Sequence, residues 1–110
     1  PTHLAVDDIA TLTATASNLA STFASAINLT SASADVAFTL DDGTDVGQLK
    51  IIFASHEPAG SYVANVTVSS WGYSSDNTNQ IILNALGDAV ICFWNGSSWY
   101  PVSNVNATIS

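Results

Sequence analysis

Asp41-Asp42-Gly43-Thr44-Asp45 is the densest group of metal-capable side chains in the chain, and its three carboxylates within five residues are the hard oxygen ligands that Ca²⁺ takes. The spacing departs from that of an EF-hand loop and no bidentate Glu follows, so the stretch reads first as a solvated turn, which Asp-Gly forms readily. His56 and Glu57 stand side by side as an acid/base pair in composition. No nucleophile accompanies them, and Pro58 and Gly60 place them in a loop. His3, His56 and the single Cys92 are too few and too scattered for a zinc site. No Gly-x-Ser-x-Gly elbow, Walker-type phosphate loop or dinucleotide fingerprint occurs. One cation, Lys50, offers no clamp for phosphoryl or carboxylate substrates. These residues predict no enzyme, no resident metal and no cofactor.

The aromatic residues are the better candidates for binding. Trp94 and Trp99 flank Asn95-Gly96-Ser97-Ser98 and are expected to pack across a hairpin. Trp71 and Tyr73 flank Gly72 in a loop, where large rings typically anchor a protein interface or stack on a sugar. Protein contact is the favoured of these two readings. Cys92 alternates with Val90 and Trp94 and is expected to be a buried, inert thiol; alone, it excludes an intramolecular disulfide. Lys50, between Leu49 and Ile51, is expected to meet a carboxylate of the acidic turns.

Composition narrows the class. The chain has 110 residues, enough for one domain with its own core, and 47% of them are hydrophobic against only 9% charged. So little charge suggests that other subunits cover much of the surface. A net charge of −8 leaves no cationic surface for nucleic acid or for an anionic membrane. No apolar run reaches the roughly 20 residues of a membrane-spanning helix. The start, Pro1-Thr2-His3-Leu4-Ala5-Val6-Asp7-Asp8, carries no basic n-region and no apolar h-region, so no signal peptide is expected. The sequons at Asn28, Asn65, Asn95 and Asn106 then imply no glycan.

The elements that must position these residues fall into two regions. Residues 34–110 hold all the Gly, Trp and Tyr and read as successive short strands. The predicted strands are Asp35–Leu40, Gln48–Ala54 with Leu49, Ile51 and Phe53 on one face, Ser61–Ser69, Gln80–Ala85, Ala89–Trp94, Trp99–Val102 and a short Asn106–Ser110. No helical segment intervenes, which predicts an all-β fold, a small antiparallel β-sandwich or barrel. Residues 1–33, rich in Ala, Ser and Thr, form an N-terminal arm or stem that fits two structures. Ile9, Leu12, Ala16, Leu19, Phe23 and Ala26 follow a heptad spacing, whereas Thr11, Thr13 and Thr15 alternate with Ala10, Leu12, Ala14 and Ala16 as in a strand. In either form Ile9, Leu12, Leu19 and Phe23 need a partner surface.

One stretch carries a family likeness. Gly47-Gln48-Leu49-Lys50, a polar hairpin, Gly87-Asp88, an apolar strand and then Asn95-Gly96-Ser97-Ser98-Trp99-Tyr100 resemble the small β-domains of tailed-phage virion proteins, those of marine and cyanobacterial phages in particular. The likeness spans roughly residues 34–110. It implies a structural protein of the virion, made in the host cytoplasm, of the head-decoration or fibre type. A short chain with no long repetitive shaft favours a decoration (cement) protein. Such a protein would bind the major capsid protein, itself as a homotrimer, and neither nucleic acid nor membrane. A trimeric fibre or receptor-binding module contacting host glycan, and a lectin-like β-sandwich, are the alternatives.

Overall fold

In a computed structural model, which describes residues 9–12, 23–73 and 77–110, the protein is all-β. Its strands are β1 (Ile9–Leu12), β2 (Ala24–Ile27), β3 (Val36–Leu40), β4 (Leu49–Ala54), β5 (Ala64–Val68), β6 (Gln80–Leu83), β7 (Ala89–Trp94), β8 (Trp99–Val105) and β9 (Thr108–Ile109). They form a five-stranded sheet of order β1-β2-β4-β7-β8 and a four-stranded sheet of order β3-β5-β6-β9. One core lies between them: Ile27, Ile52, Val90, Cys92, Trp94 and Trp99 from the first sheet meet Phe38, Leu40, Ala64, Val66, Val68, Ile81 and Leu83 from the second. The expected sandwich is therefore present.

The sheets are mixed rather than purely antiparallel. β4–β7, β7–β8, β5–β6 and β6–β9 are antiparallel, while β1–β2, β2–β4 and β3–β5 are parallel. Parallel neighbours cannot be joined by a tight hairpin and need a crossover. For β2–β4 and β3–β5 the crossover is a strand of the opposite sheet: the chain passes from β2 to β3, back to β4 and over again to β5. Because the crossover elements are strands and not helices, no break in the strand-like pattern announces the parallel pairing.

The N-terminal third is not simply an arm. Ala24, Ala26, Ile27 and Leu29 are buried, and β2 sits inside the first sheet between β1 and β4. Over Ile9–Leu12 and Ala24–Ile27 the chain is strand, so the helical stripe does not form there. Ala16 and Leu19 lie outside the described residues.

β4 reverses the expected use of its faces. Lys50, Ile52 and Ala54 point into the core, while Leu49, Ile51 and Phe53 lie half-buried on the outer side. The antiparallel register places Lys50 opposite Cys92 and Ile52 opposite Val90, which commits those residues to one side. Lys50 is 0% exposed, and its Nζ donates to Ser25 Oγ at 2.7 Å. The sole Lys/Arg side chain is thus an interior residue of the sandwich and does not lie in the exposed setting from which a partner in the acidic turns was expected.

Candidate functional site

The end of the sandwich where β3 stops and β8 begins gathers most of the residues singled out by type. Leu40 O accepts from Ser69 N (2.9 Å), which brings the chain leaving β5 beside the Asp41–Asp42 turn. That chain is then stitched across to β8: Trp99 N donates to Ser70 O (2.7 Å), and Gly72 N donates to Trp99 O (2.8 Å). Trp99 Nε1 donates to Asp41 O (2.8 Å), and Ser69 Oγ donates to Asp41 Oδ1 (3.2 Å). Trp99 therefore ties together the acidic turn, through its indole, and the Ser69–Tyr73 loop, through its backbone, with β8. Trp94 and Trp99 pair across the hairpin as expected, with ring centroids 5.3 Å apart. Asn95 closes that hairpin by accepting from Ser97 N and Ser98 N on its Oδ1 (2.9 and 2.8 Å), the Asx geometry that favours Asn in turns.

Of the two loop aromatics, only Tyr73 is an exposed ring. Trp71 is 7% exposed and belongs to the core, while Tyr73 is 55% exposed with its ring centroid 6.1 Å from that of Trp71. Tyr100, 40% exposed, joins them by packing against Gly72. Sequence reasoning missed Tyr100, Ser69 and Ser70 as site residues, because backbone bonds between distant segments bring them here. An open surface depression lined by Asp41, Asp42, Ser69 and Ser70 lies at this end.

The glycines give a differential prediction. A Cβ on Gly43 would lie 2.4 Å from Trp94 Cγ, at the stiff root of a buried indole. Gly43→Ala is expected to destabilise the fold by about 1–3 kcal/mol, the usual cost of overpacking, read by denaturant melts. A Cβ on Gly72 would meet the distal ring atoms of Tyr100, also at 2.4 Å, but that partly exposed ring can swing away. Gly72→Ala is expected to cost clearly less than Gly43→Ala; equal losses would contradict this packing.

The remaining candidates make contacts that hold loops and turns in place. Among the described residues, no three His, Cys, Asp or Glu side chains come together as a metal group. Ser55 Oγ donates to Ile27 O (3.2 Å) and lies 2.9 Å from His56 Nδ1, while Glu57 accepts from Leu86 N (3.4 Å). These groups tie the loop to β2 and to the turn before β7. Asp88 is buried and accepts from Asn84 N and Ala85 N (2.9 and 3.1 Å), which fixes the β6–β7 turn.

Cys92 is buried, and desolvation pushes its thiol up to about 12, with the nearby Lys50 charge acting the other way. The native protein is expected to resist a thiol-reactive disulfide reagent at pH 8 and to react once unfolded. Rapid labelling of the native state would contradict the burial. Because the folded thiol holds its proton longer than the unfolded one, the Cys92 contribution to stability is constant below about pH 9. It is then lost as pH rises from about 9 towards about 12.

A second surface stands out by its apolarity. On the outer side of the first sheet, Leu49, Phe93 and Tyr100 form one cross-strand row, Ile51, Ile91 and Ser103 the next, and Phe53, Ala89 and Val105 a third. The outer side of the other sheet carries Ala37, Thr39, Asn65, Thr67, Gln80, Ile82 and Thr108, mostly polar. Of the sequence-predicted interface residues, Ile9 and Leu12 lie on β1, at one edge of the apolar sheet, and Phe23 is half-buried just before β2. Leu19 lies outside the described residues. Tyr73 is at the end of the sandwich, away from this row pattern.

No protein-family model matches the chain, and no curated protein matches it.

Proposed function

We propose that the protein is a non-enzymatic structural component of a virus particle, a capsid decoration protein of a tailed bacteriophage that binds the major capsid protein as a homotrimer. The observation that carries this reading is the asymmetry of the two outer faces. A sheet apolar on both sides buries both in the assembled state, and β4 and β7 are apolar on both sides apart from Lys50. Val102 and Val105, 58% and 51% exposed on β8, extend the apolar surface to the sheet edge. Covering such a face against neighbouring subunits releases water from apolar area and would stabilise the shell. With Lys50 inside, no Lys or Arg side chain is on the surface, so the acidic remainder keeps the particle soluble and disfavours nucleic acid. The family likeness of residues 34–110 points to the same role.

The test is copy number in purified virions by quantitative mass spectrometry, with rebinding to capsids that lack the protein. Hundreds of copies in simple ratio to the major capsid protein are expected, together with a raised capsid melting temperature. The double variant Val102→Asp/Val105→Asp is expected to fold and to lose rebinding. A handful of copies per particle would place the protein on the tail and overturn the decoration role.

A further inference from the structure

We propose that Asn95 is a self-modification site, at which the native chain converts a side-chain amide into a carboxylate. This goes beyond the capsid reading and does not rest on it, because the reaction needs only the β7–β8 hairpin and water. The backbone nitrogen of Gly96 gives up its proton to solvent base and attacks Asn95 Cγ. The new N–Cγ bond closes a five-membered succinimide, the Cγ–Nδ2 bond breaks, and Nδ2 leaves as ammonia with a proton taken from water. A water molecule then opens the imide at one of its two carbonyls, which leaves aspartate or isoaspartate at position 95. Nothing is oxidised or reduced, and water is the only co-reactant.

The nucleophile is unhindered. Asn95 is the only asparagine of the chain that is followed by glycine, and a Cβ beside the attacking nitrogen would crowd the ring closure. The turn itself calls for that glycine, since Gly96 has φ 102°, in the region that other residues avoid. Among the described residues, the bonds that hold this turn engage Asn95 N, Ser97 N and Ser98 N and not Gly96 N. Asn95, Gly96 and Ser97 are all exposed, so solvent base and water reach them.

The electrophile is activated. Asn95 Oδ1 accepts from Ser98 N (2.8 Å), Ser97 N (2.9 Å) and Ser97 Oγ (3.2 Å). Negative charge develops on this oxygen when the Gly96 nitrogen adds to Cγ, and donors already aimed at it stabilise the tetrahedral oxyanion. The same bonds turn the leaving Nδ2 away from the donors. Asn28 provides a contrast within the chain: its Oδ1 accepts from Thr30 Oγ1 (2.8 Å) and Thr30 N (3.1 Å), but the buried Leu29 follows it. The two products differ in their effect on the hairpin. An aspartate carboxylate at position 95 accepts the same bonds, now as a charged acceptor. Isoaspartate lengthens the backbone by a methylene and disturbs the closing bond from Asn95 N to Ser98 O (3.1 Å). Either product adds a negative charge to a chain already at −8.

The experiment incubates the whole native protein at pH 8 and follows each asparagine by peptide mapping with mass spectrometry, resolving aspartate from isoaspartate. Asn95 is expected to convert about tenfold or more faster than Asn28 and than Asn106, which is exposed and precedes Ala107. Conversion is expected to slow at pH 6, where the Gly96 nitrogen gives up its proton less often. Ser97→Ala changes an exposed side chain, removes one of the donors to Oδ1 and is expected to slow conversion about two- to threefold. Gly96→Ala is expected to bring position 95 down to the rate of Asn28. A Cβ there would also lie 3.0 Å from Val46 Cγ2, so a thermal melt confirms that the variant folds. The comparison of Asn95 with Asn28 and Asn106 is made within the parent chain and holds whatever that variant does. An Asn95 amide that persists in the native chain while the urea-unfolded chain loses it would overturn the proposal. So would equal rates at Asn95 and Asn28, or an unchanged rate in folded Gly96→Ala. Virion copy number and capsid rebinding do not enter these readouts, so the two readings fail separately.

Discussion

A chain lacking residues 1–30 is expected not to fold. Viewed as an arm, that segment could be removed and leave an intact β-domain. The structure assigns it β2, which pairs with β4 along Ala24–Ile51 to Ile27–Ala54. Its loss removes the bonds from Ile51 N to Phe23 O (2.9 Å), from Ser55 N to Ile27 O (3.0 Å) and from Ala59 N to Leu29 O (3.0 Å). It also removes Ile27 and Leu29 from the core, each worth about 1.5–3 kcal/mol of buried side chain. Ser25 goes with them, and Lys50 Nζ loses that acceptor inside the sandwich. Taking a hydrogen-bond acceptor away from a buried charge is costly to a fold. Against a total stability of about 5–15 kcal/mol, these losses suffice to unfold a small domain. Far-UV circular dichroism and a thermal melt decide it. A cooperative melt near that of the full chain would show that β2 is dispensable.

Trp99→Ala is expected to cost about 3–5 kcal/mol, the range for deleting a large buried ring. Trp99 is fully buried and pairs with Trp94, and its indole donates to Asp41 O while its backbone holds Ser70 and Gly72. The side chain thus couples the two sheets at one end, and its loss is expected to loosen the Asp41–Asp42 turn and the Ser69–Tyr73 loop together. Trp99→Phe keeps most of the apolar volume but removes the indole donor, and is expected to cost less while still loosening the acidic turn. Urea melts give the stability change, and amide exchange at residues 41–43 and 69–73 gives the local one. An alanine variant that melts like the parent, or exchange confined to β8, would contradict this role.

The candidate site was only partly legible before folding. Tyr73 stands beside Gly72 in a loop and can be picked out from residue type alone. Tyr100 and Ser70 cannot, because the bonds that bring them together join segments about thirty residues apart in the chain. Their signal is the chain's path and not any local spacing. Trp71 shows the converse: its type and loop position suggest an exposed anchor, but a bridge to Trp99 draws it into the core.

From its sequence alone the protein was bound to be all-β, since strand-length apolar runs between Gly, Asn and Asp turns leave no room for a helical face in residues 34–110. The Trp94–Trp99 hairpin and the inward set Ala64, Val66 and Val68 follow from the same local rules of turn chemistry and alternation. Only the tertiary structure decided which side of β4 is buried. Alternation separates two faces, but when one carries Leu49, Ile51 and Phe53 and the other Ile52, Ala54 and a lysine, it points to the wrong one. The choice came from register with β7 and from the hydroxyl that β2 places at Lys50 Nζ. Parallel pairing was likewise settled by packing, because which strands become neighbours depends on covering both sheets at once and leaves no mark on the residues of any single strand.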